Sequence, residues 1–263
     1  MSADFLYDKS ELGIFFGLLL LMLLSTEAGF RFGTRQGSLS ELARTHTDNL
    51  QSALIGLLAL LLGFTFAMSI SRFETRFTLV QKEANAIGTA ALRADLLPAA
   101  ERAEVLALFR RYVDERVDAS RGANVPAAER AALDTRAARL QAELWQRAVS
   151  ASTADPHSVA ASLLVSAVND LIDAKGERDA WLANHVPETV LILLFAFSVV
   201  AHGMVGYGNG LAGTRITGVS MAFTVLVSFV LMVIIDLDRP RRGLIVVSDE
   251  SMVALQRSLR ASK

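Results

Sequence analysis

Cysteine is absent from the 263 residues, so disulfides, thiol chemistry and cysteine-ligated metals are excluded. Histidine is scarce. His46, His157, His185 and His202 lie far apart and show no metal-ligand spacing. Neither sign of charge dominates: 26 basic residues stand against 27 acidic ones, a net charge of −1, and nothing in that balance favours nucleic acid as a partner. The N-terminus, MSADFLYDKSE, lacks a basic start, and no small-residue cleavage site follows it cleanly, so it is not read as a cleavable signal peptide.

What the chain has in excess is apolar sequence. It is 52% hydrophobic with a mean hydropathy of +0.38, yet 20% of its residues are charged. That mixture is expected of membrane segments joined to a polar domain. The Ala- and Arg-rich style points to a bacterial source. A spanning helix needs roughly 20 mostly apolar residues, and the stretches 12–30, 50–70, 189–207 and 216–235 each qualify. The first is uncharged until Glu27, and the fourth carries no charge at all.

Between the second and third spans the sequence reads as nearly pure helix, rich in Ala and poor in Gly. Expected helices cover 72–94, 99–120, 127–152 and 157–184, separated by DLLP, RGANVP and TADP. Leu106, Phe109, Tyr112, Val113 and Val117 share one helical face, as do Leu164, Val168, Leu171 and Ile172. The expected fold is therefore an all-α integral membrane protein: transmembrane helices 1 and 2 in residues 1–70, a cytoplasmic helical bundle in 71–187, transmembrane helices 3 and 4 in 188–236, and a cytoplasmic tail in 237–263. Orientation comes from Lys and Arg near the spans. The connection between the first two spans holds Arg31, Arg35 and Arg44, and that between the last two holds Arg215. Arg72, Arg76, Lys82, Lys175 and Arg178 flank the insert, and Arg239, Arg241, Arg242, Arg257, Arg260 and Lys263 crowd the tail. The totals put the insert and both termini in the cytoplasm.

Several groups of residues carry candidate function. Ser52, Gly56, Ala59, Gly63 and Ala67 recur every three or four positions along the second span. Small residues let helix backbones approach in lipid, so this stripe marks a packed face, either within the chain or between identical subunits. Phe64, Phe66, Ile70 and Phe73 are candidates for an apolar constriction, since apolar rings in a pore can gate by dewetting. Thr217, Ser220, Thr224 and Ser228 recur on one side of the fourth span, where hydroxyls bond locally or line a wet path. GMVGYGNGLAG, residues 203–213, follows no strand, which removes a dinucleotide fold; a tight reversal between spans is the natural reading. Glu83, Arg93, Asn169, Asp173 and Glu177 are the polar centres of the insert and are read as a structural salt-bridge network, with Arg93 or Arg178 as the cation. At IIDLDRPRRGLIVV, residues 234–247, the last apolar run stops. Asp236 and Asp238 are expected to accept bonds from Arg239, Arg241, Arg242 or nearby backbone N–H groups, with the turn at Pro240 folding Leu244 to Val247 back against the bundle. No metal, no cofactor and no enzymatic centre is expected: no nucleophile or phosphate loop accompanies the carboxylates.

EANAIGTAALRADLLP, VNDLIDAKGERDAW and DLDRPRRGLI, in that order, make the chain resemble the bacterial membrane proteins called bestrophin-like, over about residues 50–260. True bestrophins, more distantly similar, are pentameric ligand-gated ion channels whose second span lines the pore through an apolar neck. The resemblance therefore implies a homo-oligomer, a pentamer, in the lipid bilayer of a bacterial inner membrane, passing small ions. Bestrophins bind calcium at an acidic run after the fourth span. Here only Asp236 and Asp238 stand there among arginines, a poor calcium site. The alternative function is a non-conducting structural or sensory membrane protein whose bundle recruits a partner.

Overall fold

The structure, a computed structural model, describes residues 11–36, 41–121, 127–215, 217–239 and 244–261. Every regular element among them is an α-helix: α1 (Glu11–Gln36), α2 (Glu41–Ala94), α3 (Ala99–Arg121), α4 (Ala127–Ala154), α5 (Val159–Ala183), α6 (Glu188–Leu211), α7 (Thr217–Asp238) and α8 (Glu250–Ala261). Four of them, α1, α2, α6 and α7, are long and apolar enough to cross a membrane. The helix α2 is uninterrupted over 54 residues, so the second apolar stretch and the first polar helix form one rod.

The chain divides into two compact units. The first consists of Met1–Arg72 and His185–Arg239. Its core joins Ile14, Leu18 and Met22 of α1, Leu58 of α2, Leu191 and Leu194 of α6, and Leu231 and Ile234 of α7. The closest packing is between α1 and α6. A Cβ added at Gly206 would lie 1.9 Å from the carbonyl oxygen of Thr26, one at Gly29 would lie 2.0 Å from that of Gly203, and one at Gly210 would lie 2.3 Å from that of Phe30. Only a hydrogen side chain allows these backbones so close, which is how helices associate where apolar side chains gain nothing over lipid. This corrects the expected reversal at 203–213. Residues up to Leu211 are helical, and the turn is confined to the residues that follow, where Gly213 takes φ +66.

The second unit consists of Phe73–Asn184 and Pro240–Lys263. Phe109, Tyr112, Val113 and Val117 of α3 are fully buried against Leu144 of α4, Leu164 and Leu171 of α5, and Ile87 of α2. Each such burial stabilises by about 1.5–3 kcal/mol. An exposed pair such as Arg147–Glu104, at 2.6 Å with both side chains more than half accessible, contributes at most about 1 kcal/mol. The apolar face, then, holds the unit. Local chemistry sets the helix ends: α5 begins where the Ser158 hydroxyl accepts from Ala161 N–H at 3.2 Å. It ends where the buried Arg76 guanidinium donates to the carbonyls of Asn184 at 2.8 Å and Trp181 at 3.4 Å.

The tail does return to this unit, through an element absent from the sequence reading. Helix α8 buries Met252 and Leu259 in the core. It is held by Gln256 and Arg260 donating to Asp114 at 2.7 and 2.8 Å, and by Arg110 donating to the Leu259 carbonyl at 2.8 Å. Of the apolar stretch expected to dock, only Val247 is buried. Leu244 is 75% exposed.

Candidate functional site

Three features of the chain concentrate unusual residues. The first is the apolar half of α2. One side of it, Leu58, Thr65 and Ser69, is buried in the first unit. On the other side Ser52, Gly56, Ala59, Gly63 and Ala67 are all exposed, and a Cβ added at Gly56 or Gly63 would meet no atom within 4 Å. Among the described residues nothing packs on the two glycines of this stripe. Phe66 and Ile70 are half-buried, with Phe66 leaning on the first unit's core. Phe73, where the second unit begins, is also half-buried. Phe64 is 66% exposed. At about 100° per residue, Phe64 and Phe66 point roughly 200° apart around the helix, whereas Phe66, Ile70 and Phe73 recur at i, i+4 and i+7 on one face. Some hydroxyls in the spans bond back to their own helix, Thr224 donating to Ser220 O, Thr65 to Leu61 O and Ser198 to Leu194 O, each at 2.8 Å, while others reach across, Ser25 to Val199 O at 2.7 Å and Ser228 to Met22 Sδ at 3.6 Å.

The second feature is a buried charge cluster in the second unit. Glu83, with no exposed surface, receives both nitrogens of a fork from Arg116, Nε at 2.7 Å and Nη2 at 3.0 Å. Arg178 Nη1 adds a third contact at 2.7 Å, and Tyr112 Oη donates from 3.4 Å. Arg178 also reaches Asp249, ahead of α8, at 3.1 Å. Burial pushes the Glu83 carboxyl up, but the two guanidiniums outweigh it and hold the group below the ordinary carboxylate range. Burial and the Glu83 charge push the Tyr112 phenol far above its usual value.

Of the residues expected in this network, Glu83 and Arg178 meet. The others form separate local contacts: Arg93 donates to Leu163 O at 3.0 Å, Asn169 to Asp173 at 3.2 Å, and Lys82 to Glu177 at 2.5 Å. Arg116 was not anticipated. Its signal was its position: it follows Phe109, Tyr112 and Val113 at i+7, i+4 and i+3 on the apolar face, where a charge must be paired.

The third feature is the end of α7. Asp236, Asp238 and Arg239 are all buried. An Asp238 carboxylate oxygen accepts from the Val186 N–H at 2.9 Å and stands 3.5 Å from the His185 ring, while the Asp238 carbonyl lies 3.2 Å from the same ring nitrogen. Arg239 donates its backbone N–H to Asp236 O at 3.0 Å. The Asp238 carboxylate thus caps the approach to α6 through a backbone N–H. Arg241 and Arg242 lie outside the described residues. Among the described residues, no group of three or more His, Asp or Glu side chains is placed to hold a metal ion.

The helical arrangement is shared with solved proteins. It superposes on a bacterial bestrophin homologue from Klebsiella pneumoniae with a TM-score of 0.66 at 15% identity, covering 95% of this chain and 97% of that one. Two point variants of that homologue give TM-scores of 0.68 at 15% identity and 0.66 at 17% identity, covering 95% and 94% of this chain and 97% of each of theirs. No curated protein matches the sequence. A family model described as the bestrophin-like domain matches residues 18–252. Four membrane-length apolar helices and a family match over nearly the whole chain make it a membrane protein, and it belongs to the bestrophin-like family.

Proposed function

We propose that the chain assembles into a homo-oligomer, pentameric by its likeness to bestrophins, and forms a bacterial inner-membrane channel or pore for small ions with α2 beside the axis. The observation that carries this reading is the bare small-residue stripe on α2. Ser52, Gly56, Ala59, Gly63 and Ala67 offer a surface suited to close helix contact, and the single chain leaves it uncovered. On this reading a neighbouring copy covers it, and a ring of such contacts brings α2 helices around a common axis. In that ring Phe66, Ile70 and Phe73 form the apolar neck, and Phe64 faces elsewhere. By the arginine count, the second unit and both termini are cytoplasmic.

The test uses purified full-length protein. Because the chain has no cysteine, Gly56→Cys provides a single reporter and should cross-link subunits. Liposomes holding verified oligomers should pass small ions. Oligomers that conduct in neither the wild type nor Phe66→Ala would leave the non-conducting, partner-recruiting reading. Periplasmic labelling of Ala123→Cys would refute the orientation.

A further inference from the structure

A pocket of about 140 Å³ opens in the first unit beside the short connection between α6 and α7. Leu23 and Phe30 of α1 and Met221 of α7 give it apolar walls. Its floor is polar and ordered: Asn209 of α6 donates to the Ser220 hydroxyl at 3.1 Å, and the fully buried Thr224 lies one turn further along α7. Arg215 stands at the mouth. Its guanidinium lies over the Phe30 ring, 4.3 Å from the centroid, and touches Glu27 with both terminal nitrogens at 3.3 Å.

The charge balance at this mouth is uneven. Glu27 is held more tightly by Arg31, Nε to Oε1 at 2.7 Å, so two guanidiniums share one carboxylate. Stacking on Phe30 fixes the plane of the Arg215 fork; its two terminal nitrogens each turn one N–H to Glu27 and keep a second, and with two guanidiniums on one carboxylate the mouth stays net positive and suited to a phosphate. A soluble anion would use the fork but leave the Leu23 and Met221 walls in water. A phosphate joined to an apolar chain satisfies both, and the end of a spanning helix is where such groups lie.

We propose that this pocket binds an anionic phospholipid. The phosphate sits on Arg215, a hydroxyl-bearing headgroup reaches the Asn209–Ser220 pair, and the glycerol and first acyl carbons lie along Leu23 and Met221. The proposal rests on the membrane placement of the first unit and is independent of whether the protein conducts.

Full-length protein in detergent, given phosphatidylglycerol or phosphatidylcholine at equal ratio, tests this by native mass spectrometry and by thermal shift, with inorganic phosphate as a third arm. Phosphatidylglycerol should be retained at least ten-fold more than phosphatidylcholine. Arg215→Gln should reduce its retention to the phosphatidylcholine level, and Arg215→Lys, which keeps the charge but not the plane stacked on Phe30, should fall between the two. Ser220→Phe, which fills the floor and leaves Arg215 in place, should also abolish it, and it decides the matter if Arg215→Gln does not fold. Equal retention of the two lipids, or unchanged retention in Arg215→Gln and Ser220→Phe, would overturn the proposal. Stabilisation by inorganic phosphate equal to that by phosphatidylglycerol would also overturn it, because the apolar walls would then contribute nothing.

Discussion

Replacing Glu83 by glutamine removes the one negative charge that two buried guanidiniums share. Arg116 and Arg178 have side chains 2% and 9% exposed, so neither can turn to water when the carboxylate is lost. Breaking a buried, hydrogen-bonded ion pair from one side costs about 3–5 kcal/mol, because the remaining charge stays desolvated. For a unit of this size each kcal/mol moves Tm by roughly 4 °C. The expected loss for Glu83→Gln is therefore about 12–20 °C, read by far-UV circular dichroism in detergent at a fixed scan rate. The double variant Glu83→Leu with Arg116→Met replaces charge by apolar volume and should recover at least about 1 kcal/mol relative to the sum of the single changes. A Tm loss under about 3 °C for Glu83→Gln, or strict additivity in the double variant, would refute the reasoning.

The same carboxylate predicts an acid limit. Its folded pKa lies below the ordinary value of 4.5, so its contribution is complete above that pH and disappears as pH falls through the folded value. Wild-type Tm should therefore drop in that window, and Glu83→Gln should lose that part of the slope. Gly206→Leu should prevent folding, since even a Cβ there meets the Thr26 carbonyl at 1.9 Å, whereas Gly56→Leu should leave the monomer fold intact and disrupt oligomer size. Gel filtration of both variants checks the contrast. Asp238→Asn weakens a charge-assisted bond to the Val186 N–H and should cost about 1–3 kcal/mol. It should do so equally in calcium and in chelator, and a calcium-dependent stabilisation lost in the variant would contradict that.

The four apolar helices were legible because a run such as 216–235 with no charge has few other fates. Two features were obscured for different reasons. Glycines at 203–213 serve a turn or a close helix contact with the same letters, and only the position of α1 opposite them, more than 170 residues earlier, decides between the two. Asp238 accepts from the N–H of Val186, 52 residues away, a partner to which its neighbours in sequence do not point. Arg116 was legible in principle, as a charge in the middle of the buried face of α3. Helix α8 was also legible, through Met252, Val253, Leu259 and a polar opposite side. It lay in a stretch read only as a tail, and its docking depends on Asp114 and Arg110 of α3. Nothing in one chain's sequence distinguishes a lipid-facing small stripe from a subunit contact, because both ask only for small residues on one exposed face.

Conductance across a planar bilayer, compared between Phe66→Ala and Phe64→Ala, tests the central claim most directly. The two side chains occupy opposite sides of α2, so only one of them can face an axis. Wild-type oligomers should conduct, Phe66→Ala should raise unitary conductance by widening an apolar ring, and Phe64→Ala should leave it unchanged. No conductance from any of the three, or a change confined to Phe64→Ala, would contradict an ion pathway along this face of α2.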